Sequence, residues 1–323
     1  MKKLTAIIMT LCMLLCVLSG CGGEPEHDAD YYPEIEKIRI GALTGPTSMG
    51  MVKLMENGNY EFTLSADPAA FAPALAKGDI DMAAVPANLA SVIYNNTDGA
   101  IKVLAINTLG VLYIVERGDS VQSLADLKGK TLYATGAGAV PEYSLRYLLK
   151  ENDMDAEKDV SIQWCSDTTE ALSYIVNDAN AVAMLPQPFV TAAQLQVEDL
   201  RIAVDLNEEW EKLGSGYEMV TGVLVARSEF IDEHPDFMGQ FIEEYAASVA
   251  FVTMNIEEAA DRIEQYEIAK KPIALRALPY CNICCMTGDH MKFLMEGYLK
   301  ALYDMNSAAV GGTLPDNDFY YGT

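Results

Sequence analysis

After residue 18 the sequence has no apolar run long enough to cross a membrane, and it holds only three histidines. It also has few cations, with 22 Lys and Arg against 47 Asp and Glu, a formal net charge of −25. The first absence leaves no candidate for a spanning helix beyond the N-terminus, since such a helix needs ~20 apolar residues. The charge balance disfavours nucleic acid and anionic lipid as partners. The histidines are scattered at 27, 234 and 290, so no Ser-His-Asp set and no metal-ligand set is visible. One absence is local. "GPTSMG", residues 45–50, has the two-glycine spacing of a phosphate-binding loop, but Met51 and Val52 follow where such a loop needs Lys and Ser or Thr. A nucleotide is not what this stretch is built to hold.

What is present begins at the N-terminus. Lys2 and Lys3 precede an apolar run from Ala6 to Leu18, and Leu18-Ser19-Gly20-Cys21 places small residues before a cysteine. This reads as a secretory signal over 1–20, with Cys21 as a lipidated first mature residue and 21–33 as a tether. Removing Lys2 and Lys3 takes the formal charge from −25 to about −27. Of seven cysteines, Cys12 and Cys16 fall in the signal, and Cys165, Cys281, Cys284 and Cys285 remain beside Cys21. Cys281-Asn-Ile-Cys284 has the spacing of half a metal site, but no second ligand pair stands near it apart from His290. These cysteines read as small buried hydrophobes, with a disulfide open in an oxidising compartment.

The chain also echoes itself. "YEFTLSAD" (60–67) and "VSIQWCSD" (160–167) alternate like strands and end in Asp67 and Asp167. Each is followed by a helical pattern, a polar turn, a short apolar run and a proline, Pro86 or Pro186. Upstream, Thr44-Gly45 follows one strand pattern and Thr135-Gly136 follows another, each ahead of a helical pattern. Strands alternating with helices predict parallel βαβ units with right-handed crossovers, hence an α/β fold in two halves. In such sheets ligands bind beyond the carboxyl ends of the strands. The polar loops at those ends are 44–49, 86–88, 135–141 and 186–188, and two facing lobes would bring them into one cleft that closes by hinge motion.

The breaks predict lobe 1 as 34–118 plus 224–323 and lobe 2 as 119–223. Residues 107–120 read as a long strand leaving lobe 1, 218–230 as the return strand, and the remainder as helices packed on lobe 1. The candidate ligand-binding residues are Thr44, Gly45, Pro46, Thr47, Ser48 and Met49 in the first loop and Pro86 and Asn88 in the second. Thr135, Gly136, Ala137, Gly138 and Ala139 supply the third and Gln187 the fourth, with Tyr217 and Thr221 near the return crossing. Thr47, Ser48 and Asn88 also suit plain helix capping. Glycines at 136 and 138 let backbone N–H groups approach an anion or a carbonyl. None of the four loops carries Arg or Lys, the commoner clamp for an anion, which tilts the reading toward an uncharged or heteroaromatic ligand.

From about residue 36 to 323 the chain resembles the substrate-binding proteins of ABC importers related to the nitrate, aliphatic-sulfonate and thiamine-precursor binders. The segments that carry the resemblance are "ALAKGDIDMAAVPANLA", "SLADLKGKTLYATGAGAVPEYSLRYLL", "VAMLPQPFVTAA" and "VLVARSEFIDEHPDFMGQFIEEY", with "AAVGGTLPDNDFYY" at the C-terminus. The resemblance implies the type 2 periplasmic-binding-protein fold, two Rossmann-like lobes joined by a two-stranded hinge. It also implies a monomeric lipid-anchored binder of a small molecule that serves a membrane permease, without cofactor, metal or chemistry on the ligand. It places Asn282 in a loop bordering the site, and relatives often carry Glu where this chain has Gln187. Two other readings stand beside it: an enzyme of related fold acting on a menaquinone precursor, which an exported protein disfavours, and a sensory binding module.

Overall fold

In the computed structural model, Tyr32 and residues 37–323 are described; the expected signal segment, Cys21, His27 and most of the tether lie outside the described residues. The strands among them are β1 (Ile38–Leu43), β2 (Tyr60–Ser65), β3 (Met82–Pro86), β4 (Ile101–Leu109), β5 (Leu112–Glu116), β6 (Thr131–Ala134), β7 (Ser161–Trp164), β8 (Val182–Pro186), β9 (Arg201–Asp205), β10 (Val220–Arg227) and β11 (Ile283–Met286). They form two sheets. The first runs β11-β4-β10-β3-β1-β2 and the second β7-β6-β8-β5-β9.

The internal echo is a structural repeat. In the first sheet β1 lies between parallel partners β2 and β3, and antiparallel β10 continues beyond β3. In the second, β6 lies between parallel β7 and β8, and antiparallel β5 continues beyond β8. Asp67 and Asp167 occupy equivalent caps. Asp67 accepts from the Ala69 N–H at 2.9 Å and Asp167 from the Glu170 N–H at 2.8 Å. The inner strands β3 and β8 are near-continuous apolar runs, as buried parallel strands require, whereas the edge strands β2 and β7 alternate. Residues 82–85 and 182–185 are buried throughout. Each fully buried Val, Leu, Ile or Met side chain in these layers contributes ~1.5–3 kcal/mol relative to exposure.

Three expectations change. Residues 107–120 are not one strand. β4 ends at Leu109 in the first sheet and β5 starts at Leu112 in the second, so the outward crossing falls at Gly110-Val111 rather than at 118. The return crossing precedes Val220, because β10 belongs to the first sheet from its first residue, rather than falling at 223. The last long helix, Gly288–Met305, also does not serve the first sheet alone. Its buried positions Met291, Leu294, Met295, Tyr298, Leu299 and Leu302 form one apolar stripe at helical spacing, and that stripe joins a core containing residues of both sheets. Tyr298 meets Trp210 at 5.4 Å between ring centres, and Trp210 meets Tyr147 at 4.6 Å. The Tyr298 and Ser144 hydroxyls lie 3.0 Å apart in the same buried contact. Helices Val140–Glu151, Leu206–Glu211 and Gly288–Met305 therefore share one core across the two sheets.

Candidate functional site

The first loop is the turn after β1. Gly45 has φ 134°, a conformation that a side chain resists. The helix behind it is a single turn, Pro46–Met49, much shorter than the helical pattern suggested. Its polar side chains face inward. Thr47 Oγ1 donates to the Leu43 carbonyl at 3.0 Å and Ser48 Oγ to the Gly45 carbonyl at 3.0 Å, so both hydroxyls serve the turn itself. Met49 is fully buried among Val52, Val252 and Cys281, with its sulfur 4.0 Å from Cys281 Sγ. Thr44 is exposed and Pro46 half-buried.

Beside this turn, β4 and β10 lose their regular pairing. Val220 pairs with Leu109, Gly222 with Thr108 and Val223 with Ile106. Thr221 is therefore one extra residue on β10 and Asn107 one extra residue on β4. Bulges of this kind re-aim side chains. Here Asn107 and Thr108, which would otherwise face opposite ways, both come up against Gly222. A Cβ built on Gly222 would lie 2.5 Å from Asn107 Oδ1, 2.5 Å from Thr47 Cγ2 and 3.5 Å from Thr108 Cβ. Asn107 Nδ2 donates to the Thr47 carbonyl at 3.3 Å. Asn107 and Thr108 were not among the candidates read from the sequence. The signal that could have found them is a polar Asn-Thr pair inside the apolar run "VLAINTLGVL".

In the second half, Gln187 follows β8 and is buried. Its N–H donates to the Val111 carbonyl at 2.9 Å, which docks it on the crossing segment. Its Oε1 accepts from the Thr191 hydroxyl at 2.9 Å and the Thr191 N–H at 3.3 Å. The loop Thr135–Ala139 needs glycine at 136, where φ is 86° and a Cβ would lie 2.6 Å from Pro141 Cγ. The Gly138 N–H, expected to be free for a ligand, donates to Glu142 Oε2 at 2.7 Å, and the Tyr143 hydroxyl donates to the Gly138 carbonyl at 3.2 Å. Burial alone would raise the Glu142 carboxyl; the Gly138 N–H and the Arg146 guanidinium outweigh it and hold the group below its ordinary range. Ala137, Gly138 and Ala139 are exposed.

Other candidates are committed elsewhere. Asn88 Nδ2 donates to the Ala309 carbonyl at 3.0 Å, tying the helix Ala87–Asn96 to the C-terminal segment, while Pro86 ends β3 half-buried beside it. Asn282 braces the crossing: its Nδ2 donates to the Gly110 carbonyl at 2.6 Å and its own carbonyl accepts from the Leu109 N–H at 3.0 Å. Tyr217 does not join the loops. It packs at a tilt of 38° against Phe293, with 4.8 Å between ring centres, and lies directly over Gly297 of the last helix. A cavity of about 650 Å3, lined by Arg39, Asp81, Arg227 and His234 among others, sits at the opposite ends of β1, β3 and β10 from these loops.

Among the described residues, three buried side-chain atoms have no hydrogen-bond partner: Asn107 Oδ1, Thr108 Oγ1 and Gln187 Nε2. Each such group costs ~1–3 kcal/mol. All three flank the crossing segment between the sheets. Burial pushes both Cys281 and Cys284 up to about 12 and Cys285 to about 11, and all four cysteines described are unpaired. Among the described residues no group of three or more His, Cys, Asp or Glu is arranged to hold a metal, and no helix is long and apolar enough to cross a membrane.

Residues 59–259 match the family model described as NMT1/THI5 like. Among solved structures, an ABC transporter from Parabacteroides distasonis aligns with a TM-score of 0.75 at 23% identity, covering 88% of this chain and 99% of that one. The periplasmic aliphatic sulphonate binding protein SsuA from Escherichia coli aligns at 0.71 and 14% identity, covering 89% and 92%. The periplasmic nitrate-binding protein NrtA from Synechocystis PCC 6803 aligns at 0.54 and 15%, covering 73% and 68%. At these identities the likeness is one of fold, and the fold is the two-lobed one expected. No curated protein sequence matches the chain significantly.

Proposed function

The chain belongs to the NMT1/THI5-like family, and from that premise we propose that it is the substrate-binding component of an ABC importer. In this reading it captures one small organic molecule, a heteroaromatic vitamin precursor or a sulfonate-like compound, between the loops of its two lobes and delivers it to a membrane permease. It works as a monomer outside the cytoplasmic membrane, held by a lipid on Cys21, and performs no chemistry on its ligand. The observation that carries the proposal is the repeat itself. Two sheets of the same local order present Thr-Gly and proline loops at equivalent strand ends, and unpartnered polar atoms lie buried at the crossing between them. Solved proteins of this fold include a sulphonate binder and a nitrate binder, which supports a solute-binding role.

Thermal-shift screening of the full chain tests the reading, with pyrimidines, other vitamin precursors, sulfonates, nitrate and amino-acid-like anions as the panel. A true ligand at 100 times its Kd adds ~2.7 kcal/mol to stability. Turnover of a panel compound would replace the binding role by an enzymatic one.

A further inference from the structure

The three unpartnered atoms at the crossing differ in what they ask of a ligand, and their other ends fix the difference. Asn107 Nδ2 is held by the Thr47 carbonyl, so the nitrogen faces Thr47 and Oδ1 is the atom left over, an acceptor. Gln187 Oε1 is held by the Thr191 N–H and hydroxyl, so the oxygen faces Thr191 and Nε2 is left over, a donor. Neither amide can be turned round without setting N–H against N–H or carbonyl against carbonyl. Thr108 Oγ1 serves as either. Gln187 is anchored at Val111, three residues beyond Thr108, or roughly 10 Å along an extended chain.

Resting on the solute-binding reading above, we propose that Asn107 and Gln187 form an acceptor–donor pair selecting a neutral ligand of amide, lactam or ureide type, one that offers both an N–H and a carbonyl. The ligand N–H donates to Asn107 Oδ1, and its carbonyl accepts from Gln187 Nε2. An oxyanion, an acceptor on every side, satisfies Gln187 but sets lone pair against lone pair at Asn107. Arg146, in the helix that follows the third loop, is held by Glu142 and Glu157 at 2.6 Å each, and the Glu142 carboxylate already occupies the Gly138 N–H. A cation would find no carboxylate at the pair, since both side chains are amides. The discrimination is the kind that buried polar groups enforce when a competitor leaves one of them unpaired.

The test compares probes on the full chain. Uracil and hydantoin represent the neutral class, and ethanesulfonate and nitrate the oxyanions. The neutral probes are expected to raise Tm by about 5 °C at concentrations far above their Kd, with no shift from the oxyanions at matched ionic strength. Gln187→Glu keeps an acceptor toward Thr191 and removes the donor; it is expected to weaken neutral-probe binding ~10-fold or more. Should that variant fail to fold, Thr108→Val removes only the unpartnered hydroxyl and is expected to weaken the same probes. Stabilisation by oxyanions and not by neutral probes overturns the acceptor–donor pair and leaves the solute-binding reading standing. Stabilisation by neither set, or a Gln187→Glu protein that binds neutral probes unchanged, overturns the pair, while the binding reading is decided by the wider panel above.

Discussion

Gly222 has no side chain because Asn107 and Thr47 occupy the space that one would need. Replacing it with alanine is expected to destabilise the protein by ~1–3 kcal/mol, the usual cost of overpacking, seen as a lower urea midpoint with unchanged slope. An unchanged midpoint would mean that the bulge relaxes freely. The thiol of Cys281 offers a second test at this scale. With burial pushing it up to about 12, it is expected to resist alkylation at pH 8 in the folded protein and to react only after unfolding. What was legible of the site in the sequence was local. Gln187 could be read from a proline-bounded loop, and Asp67 and Asp167 from their spacing. Asn107 and Thr108 were not legible, because their direction depends on a bulge against β10, a strand more than a hundred residues away.

Among the elements, the crossing at Gly110-Val111 is the most tightly specified. The Gly110 N–H donates to Asn207 Oδ1 at 3.2 Å and its carbonyl accepts from Asn282 Nδ2 at 2.6 Å. A Cβ on Gly110 would lie 2.6 Å from Asn207 Oδ1 and 3.0 Å from Met219 Cβ. Asn282 itself sits at φ 45°, which asparagine tolerates better than most residues. Asn282→Ala is expected to lower stability by ~1–3 kcal/mol, since it strands a carbonyl and places alanine in a left-handed conformation; thermal unfolding measures this. The third loop gives a pH prediction. The folded state holds the Glu142 carboxyl below its ordinary value. Its contribution is therefore present above the unfolded pKa of about 4.3 and is lost as pH falls through the lower folded value. Glu142→Gln is expected to flatten the decline of Tm between pH 5 and pH 3, and an equally steep decline would remove this carboxylate from the account. Strand order and loop type could be read from alternation and turn residues. The single-turn helix at Pro46–Met49 could not: Met49, Met51, Val52 and Leu54 are buried on several sides at once, and that burial came from tertiary packing rather than from a helical stripe.

For the whole molecule, the duplicated order of strands made the α/β class and its two halves readable, because each half had to bury parallel strands under helices. The lobe limits were displaced by several residues, because an apolar run continues through Gly110 and gives no sign that the chain changes sheets there. The shared core of Tyr147, Trp210 and Tyr298 was also hidden, since it joins three helices distant in sequence. The central claim is that this molecule holds a small solute and returns it unaltered. Calorimetric titration of the full chain with the best-stabilising panel compound, followed by extraction and mass spectrometry of what was bound, tests it most directly. The account predicts saturable binding of one molecule per chain, recovered chemically unchanged. Recovery of a converted product would contradict it.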